Sequence, residues 1–322
     1  VAAFVCYRRM ARLQQAKDGV SWMLPARCLL GRSRACTIRL AEPEVSGEHA
    51  LIRWESGVWV LQDLQSRNGT YVDGRHIGSG QRVGLSPNSV IGFGRPDGYV
   101  LVDAGAPQAF AVRVGEAGPA VEAQGGFLVL PDPGRPELTI YRSAQGWAIE
   151  QAGEAHPVED GETVHTSTGP WLLHLPELLT ETCNLEAAAP TVGSLMLRFC
   201  VSRDEEYIEL LALHGGRTID LKARAHHYPL LLLARARLAD HTLPSDQQGW
   251  VHQDELLRLL RSDSNRLHID VYRIRRQLAE AGIADAAQIV ERRAGTRQLR
   301  IGVPRLEIIP LTRNAVPAVR AL

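Results

Sequence analysis

From Gly19 to Asp103 short alternating or apolar runs are broken at regular intervals by Gly, Asn, Ser and Pro. Ala50-Leu51-Ile52-Arg53-Trp54 and Val58-Trp59-Val60-Leu61 are two of them. Closely spaced short strands with turn signals between them predict an all-β sandwich over residues 20–104.

The same texture continues to about Pro176. Gly126-Phe127-Leu128-Val129-Leu130 and Leu138-Thr139-Ile140-Tyr141 read as strands of a second β domain, 105–179. Ile140-Tyr141-Arg142-Ser143-Ala144-Gln145-Gly146-Trp147 echoes Ile52-Arg53-Trp54-Glu55-Ser56-Gly57-Val58-Trp59, and Asp160-Gly161 echoes Asp73-Gly74. The echo fits a degenerate copy of the first sandwich or a small unrelated β domain. Residues 180–190, rich in Thr, Ala and Glu, read as a linker. Residues 191–303 then change character. Strands are expected over Leu195–Leu213, and helices over Leu221–Leu238, Val251–Arg261 and Ser264–Glu280. A hairpin is expected over Gln288–Ile301. Pro229 lies in the first helix's opening turn or kinks it. The segments 1–19 and 304–322 read as an extension and a tail, with Met10 a candidate initiator. The fold class expected is therefore multidomain.

A chain of 322 residues accommodates this division. Its 36 basic and 36 acidic side chains cancel, so any charged partner has to be sought domain by domain. Five cysteines, Cys6, Cys28, Cys36, Cys183 and Cys200, are odd in number, widely spaced and without a CxxC pair. That pattern excludes a disulfide framework and a zinc site, and predicts reduced thiols in a cytoplasmic protein. No apolar run reaches the ~20 residues of a membrane helix. Arg8 and Arg9 follow the first apolar stretch instead of preceding it, unlike a signal peptide.

Three segments carry candidate chemistry: Gly31-Arg32-Ser33, Ser46-Gly47-Glu48-His49, and Asp63-Leu64-Gln65-Ser66-Arg67-Asn68-Gly69-Thr70. Each ends a β run and is expected to be a loop. A phosphate with about 1.5 to 2 negative charges calls for forked cationic donors, a hydroxyl and free backbone N–H groups. Arg32, Ser46, Arg67 and the backbone around Gly47 supply them, and Asn68-Gly69 signals a tight turn.

In their order and spacing these segments resemble the forkhead-associated (FHA) family over residues 20 to 103. The resemblance implies that Arg32, Ser46, Gly47, Arg67 and Asn68 receive a phosphothreonine peptide, with Asn68 on the peptide backbone. It implies a structural role for Gly31, His49 and Gly69. Gly47 departs from the family, where Arg or Asn often follows the Ser. Glu44 is expected to disfavour acidic residues at the third position after the phosphothreonine. The implied partner is a phosphothreonine-containing protein, either a Ser/Thr kinase or its substrate.

On a helical wheel of period 3.6, Leu267, Val271, Ile274 and Leu278 form one stripe. Asn265, Ile269, Tyr272, Arg273 and Arg276 fall opposite, flanked by Arg266 and Arg275. The hairpin that follows carries Arg292, Arg293, Arg297 and Arg300. Helix, short loop, basic helix and basic hairpin form a winged helix-turn-helix pattern. The stretch resembles the C-terminal effector domain of OmpR-type response regulators. That resemblance implies an α+β winged helix binding double-stranded DNA. Asn265, Arg266, Tyr272, Arg273, Arg275 and Arg276 would act from the helix, and Arg292, Arg293 and Arg297 from the wing. Asp270, the short Ser262-Asp263 loop and Gln298-Leu299 in place of a Gly-Tyr pair depart from that family.

No phosphate loop of the Walker type, HExxH, GxSxG or GxGxxG occurs, so no enzyme, metal or cofactor is expected. Adjacent His226 and His227 make a poor chelate, and Asp204-Glu205-Glu206 reads as a solvated turn. Together these readings predict a phosphothreonine-dependent transcriptional regulator, with a homodimer among the expected assemblies. The alternative is an adaptor whose winged helix binds protein. Linker threonines Thr180, Thr182 and Thr191 are candidate internal ligands.

Overall fold

A computed structural model describes residues 10–115, 119–143, 145–151, 153–177, 189–293 and 295–311. These form two compact units, residues 10–110 with 174–177 and residues 111–173 with 189–311.

The first unit is built from two sheets. One has the order Ser21–Met23, Arg12–Gln15, Gly98–Asp103, Val90–Phe93, Thr70–Val72, Arg75–Ile77. The other has the order Ile38–Arg39, Arg27–Gly31, Ala50–Glu55, Val58–Asp63, Arg82–Leu85. Alternation sends Cys28, Leu30, Ala50, Ile52, Trp59 and Leu61 into the core, where all are fully buried. They pack with Leu13, Ile91, Phe93 and Leu101. The Trp59 indole N–H donates to the Gly105 carbonyl at 3.0 Å, so the largest core side chain leaves no buried donor unpaired. The sandwich starts earlier than residue 20. Arg12–Gln15 pairs with Gly98–Asp103, and Ala11 and Leu13 are fully buried. Polar Gln14 and Gln15 had disguised that strand. Residues 1–9 lie outside the described residues.

The second unit opens with eight strands in two sheets. Their orders are Val121–Glu122, Phe110–Arg113, Gly169–His174, Thr163–Thr166 and Phe127–Asp132, Arg135–Ser143, Gly146–Gln151, Glu154–Pro157. Taken in chain order, this repeats the strand arrangement of the first unit without counterparts of Ile38–Arg39, Thr70–Val72 and Arg75–Ile77. The two echoed hairpins also share one register. Trp54 pairs with Trp59 and Glu55 with Val58, as Arg142 pairs with Trp147 and Ser143 with Gly146. Strands corresponding to Arg27–Gly31 and Ala50–Glu55 are joined here by a short turn, Asp132 to Arg135, where the first sandwich has the loops of residues 32–49.

The rest of the unit combines a four-stranded sheet with three helices and a hairpin. Sheet order is Arg217–Ala223, Ile208–His214, Met196–Val201, Arg305–Pro310, the last pair parallel. The expected tail is therefore partly a sheet strand; residues 312–322 lie outside the described residues, as do 178–188, which include 180–188 of the expected linker with Thr180 and Thr182. Helix α1 spans Tyr228–Ala239, α2 Gln253–Leu260 and α3 Ser264–Glu280. Expected to begin at Leu221, α1 starts seven residues later, because residues 221–223 complete a strand and Pro229 takes the helix's first turn. Asp263 caps α3, its carboxylate accepting the Arg266 N–H at 2.7 Å. Strands Val290–Arg293 and Gln298–Ile301 form a hairpin, widened to three strands by Val251–His252.

Candidate functional site

Three loops of the first unit converge at the ends of strands Arg27–Gly31, Ala50–Glu55 and Val58–Asp63. The Arg32 N–H donates to the Ser46 carbonyl and the Ser33 N–H to the Gly47 carbonyl, each at 2.9 Å. The Arg67 N–H donates to Ser46 Oγ at 3.0 Å. Ser46 Oγ is thus occupied as an acceptor, and its hydroxyl proton remains available to a ligand. The Arg32 and Arg67 guanidinium groups are exposed and have no partner among the described residues.

His49 braces the loops from beneath. It is fully buried, accepts the Ser46 N–H at Nδ1 (3.0 Å) and lies 3.2 Å from the Gly69 carbonyl at Nε2. Because Nδ1 accepts, the proton belongs on Nε2, which donates to Gly69. Burial pushes the imidazole pKa below its ordinary 6.5, outweighing the Gly69 bond and nearby Asp63. Gly69 has φ +81°, and a Cβ there would meet the His76 ring at 2.2 Å.

Asp63 holds the third loop. One carboxylate oxygen accepts the Ser66 and Thr70 hydroxyls, each at 2.6 Å, and the other accepts the Ser66 N–H at 3.1 Å. Burial by itself would raise its pKa, but these bonds keep it below the ordinary value. Asp63 and Thr70 bound the third motif, and their pairing seven residues apart is a product of the loop's curl, which the sequence alone does not show.

Two expectations shift in detail. The Asn68 side-chain amide donates to the Glu44 carbonyl at 2.8 Å, which leaves its oxygen for a ligand. The Glu44 carboxylate lies 3.8 Å from the Arg95 guanidinium, which offsets its charge.

In the second unit, the expected DNA-facing residues divide. Tyr272 and Arg275 are buried, and the Arg292 side chain is nearly so. All three face the second sandwich and not a DNA groove, contrary to the expectation from the helical wheel and hairpin. Arg275 pairs with Glu150 at 2.7 Å, donates to the Ala287 and Val290 carbonyls, and stacks 4.7 Å over the Tyr141 ring. Arg292 pairs with the other oxygen of Glu150 at 2.5 Å and donates to the Gly153 carbonyl at 2.6 Å. His268 reaches Thr139 at 2.9 Å, and Tyr272 meets Phe127 edge-on. Burial alone would raise the Glu150 pKa, but Arg275 and Arg292 hold it well below the ordinary carboxylate range.

Asn265, Arg266 and Arg273 are exposed on α3, with Arg276 and Ile269 half-buried beside them. Asp270 lies 3.3 Å from Arg266 and 3.9 Å from Arg273, and Glu280 pairs with Arg276 at 2.7 Å. On the hairpin, Arg293 and Arg300 each stack 4.5 Å from the Trp250 ring, and Arg297 lies 4.0 Å from Asp254.

His226 and His227 do converge, both Nε2 atoms meeting Gln277 Oε1 at 3.1 and 2.8 Å. Their partner is an amide, and among the described residues no group of His, Cys, Asp and Glu could hold a metal. Glu205, expected to be solvated, pairs with Arg235 at 2.7 Å. Cys28, Cys36 and Cys200 are free thiols. No described helix is long and apolar enough to cross a membrane.

Residues 28–94 match the family model described as the FHA domain. That region of the chain is an FHA domain, which implies phosphothreonine-dependent protein interaction. An ABC transporter ATP-binding/permease protein of Mycobacterium tuberculosis, Rv1747, is 33% identical over 73 residues, 23% of this chain and 8% of that protein. The chain thus spans a small part of that relative's length. Among solved structures, the FhaA FHA domain complexed with the intracellular domain of Rv3910 is 30% identical, covering 28% of this chain and 97% of that one, TM-score 0.26. The FHA domain of CT664 from Chlamydia trachomatis is 26% identical, covering 29% and 96%, TM-score 0.27. Mycobacterium tuberculosis EmbR in complex with a low affinity phosphopeptide is 29% identical, covering 30% of this chain and 25% of that one, TM-score 0.27.

Proposed function

We propose that this protein is a phosphothreonine-dependent transcriptional regulator. Its FHA domain docks a phosphorylated kinase or kinase substrate, and its C-terminal helices and hairpin, read as a winged helix, bind duplex DNA. One observation carries the docking half. Ser46 Oγ accepts the Arg67 N–H and keeps its proton to donate, in a loop cluster that also presents the guanidinium groups of Arg32 and Arg67, which have no partner among the described residues. That is the donor set a phosphate dianion requires.

The DNA half is supported by element order, sheet then three helices then hairpin, and by Asn265, Arg266, Arg273 and Arg276 remaining at the surface of α3. This footprint is narrower than the sequence reading. We assign the protein no catalytic step and place it in the cytoplasm.

A second reading, a phosphorylation-dependent adaptor that binds protein through its C-terminal part, is favoured by Asp270 and Glu280, which offset much of the α3 charge. Selection of duplex DNA by the purified full chain separates the two. The regulator predicts enrichment of one sequence, lost in Arg273→Ala and Arg276→Ala, with affinity falling steeply as salt rises. No enrichment at low salt, with or without phosphopeptide, selects the adaptor.

A further inference from the structure

Asp270 is buried on the open side of α3. It is 7% exposed, although Arg266 and Arg273, one turn before it and one turn after, face solvent. Its Oδ2 accepts the Arg266 Nε–H at 3.3 Å. Oδ1 is buried, makes no hydrogen bond among the described residues and lies 3.9 Å from Arg273 Nη1. His226 also faces Asp270, but burial pushes that imidazole's pKa below the ordinary 6.5, and its Nε2 meets Gln277 Oε1 at 3.1 Å. The carboxylate's cationic partners are therefore the two arginines. Burying a carboxylate oxygen without a donor is costly, and an ordinary exposed ion pair on a helix requires no such burial. A fixed anchor between two mobile side chains does require it.

We propose that Asp270 is a positioning residue, which aims the Arg266 and Arg273 guanidiniums at guanine edges in the major groove. The inference rests on the reading that α3 binds duplex DNA. An arginine free to swing satisfies any phosphate, and phosphate contacts carry no sequence information. One braced by a carboxylate points in one direction and has part of its charge offset, so its planar fork favours guanine O6 and N7, which it meets bidentately. Converging on one carboxylate keeps the two forks within about three base-pair steps of 3.4 Å. The target is therefore duplex DNA with two guanines inside that span.

The test compares the full chain's affinity for the duplex it selects with its affinity for a scrambled duplex of the same composition. In Asp270→Asn, scrambled DNA should bind more tightly, because a negative charge is gone, while selected DNA binds less tightly. The ratio of the two should fall about tenfold, the discrimination of one bidentate arginine contact. With Arg266→Ala/Arg273→Ala already in place, Asp270→Asn should change the ratio no further. Arg266→Lys and Arg273→Lys, at exposed positions that do not threaten folding, keep the charge and lose the fork. Each should leave scrambled binding unchanged and relax the preference for one guanine when selection is repeated. A ratio that survives Asp270→Asn, with both affinities rising equally, overturns the proposal and makes Asp270 a phosphate repeller. Lysine variants that still select both guanines overturn it as well. Failure of the underlying reading looks different: the native chain then enriches no sequence even at low salt, and the proposal falls with it.

Discussion

Gly31 and Gly47, on two different loops of the FHA domain, approach so closely that a Cβ on Gly31 would sit 2.2 Å from the Gly47 carbonyl oxygen. Gly47 is the reverse case, since a Cβ there meets nothing within 4 Å. The two glycines should therefore respond oppositely to substitution. Gly31→Ala pushes the loops apart and stretches the Arg32–Ser46 and Ser33–Gly47 backbone bonds. Overpacking of this kind costs about 1–3 kcal/mol, and phosphopeptide affinity should drop at least tenfold. Gly47→Ala should leave stability within about 0.5 kcal/mol, and Gly47→Asn should tighten binding by adding a donor. Urea denaturation with peptide titration checks both; a Gly31→Ala chain that binds normally would reject the close approach as functional.

His49 makes the domain's stability depend on pH. Its native pKa is depressed, so between the ordinary 6.5 and the lower native value the unfolded chain binds more protons. The contribution of the neutral imidazole is thus fully present above about pH 6.5 and is lost as pH falls toward the native value. Protonation would also set an N–H at Nδ1 against the Ser46 N–H. Unfolding is best followed without peptide, because the phosphate's own second ionisation lies near pH 6. We expect stability to decline below pH 6.5 in the native sequence, and this part of the slope to vanish in His49→Ala. Parallel slopes would dismiss the link.

Asp63 should matter as much as any residue that touches the ligand. Its carboxylate accepts three bonds, two of them from Ser66 and one from Thr70. Bonds to charged groups contribute about 1.5–3 kcal/mol each. They share one carboxylate, so removal should cost about 2–4 kcal/mol in total rather than their sum. Asp63→Ala is expected to loosen the loop bearing Arg67 and Asn68 and to weaken phosphopeptide binding with it. Asp63→Asn keeps one good acceptor and should fall between. A stable Asp63→Ala chain with unchanged affinity would show the loop to be held by other contacts.

The loop residues proposed to receive phosphate stood out in the sequence because ligand chemistry restricts such residues to a few types in loops. Arg32, Ser46 and Arg67 could be found without knowing what packs beneath them. Strand Arg12–Gln15 was hidden because its outward residues are glutamines and its inward ones few. Helix α3 was read as having one buried stripe, Leu267 to Leu278, whereas it has two. The second, His268, Tyr272 and Arg275, faces a sheet more than a hundred residues earlier. A wheel shows which residues share a face, but it cannot say that an arginine on that face meets a buried carboxylate in place of water. Strand Arg305–Pro310 was missed for a related reason. Its partner, Met196–Val201, lies across the whole helical region, and the pairing is parallel.

The buried Glu150 supplies the last test, and it also guards the DNA experiment against misreading. Glu150 is fully buried between Arg275 and Arg292, and the apolar side chains Phe127, Val129 and Tyr141 of its sheet share one core with α3. Removing one partner of a buried ion pair leaves the other charge stranded and costs about 3–5 kcal/mol. Glu150→Ala, which strands both Arg275 and Arg292, should lose about that much, and Arg275→Ala, which leaves Glu150 paired with Arg292, should lose less. Glu150→Leu with Arg275→Met should lose clearly less than the sum of Glu150→Leu and Arg275→Met made singly, since the double change strands Arg292 alone whereas Glu150→Leu strands Arg275 as well. Chemical denaturation of the singles and the double measures this coupling. Arg275→Ala would therefore weaken DNA binding by destabilising the helix that carries Arg273 and Arg276, even if Arg275 never meets DNA. Arg273→Ala, at an exposed position, should leave stability nearly unchanged. A DNA defect shared by both variants but accompanied by lost stability only in Arg275→Ala would assign contact to Arg273 and support to Arg275. Additive single and double changes would show instead that Glu150 and Arg275 are not energetically coupled.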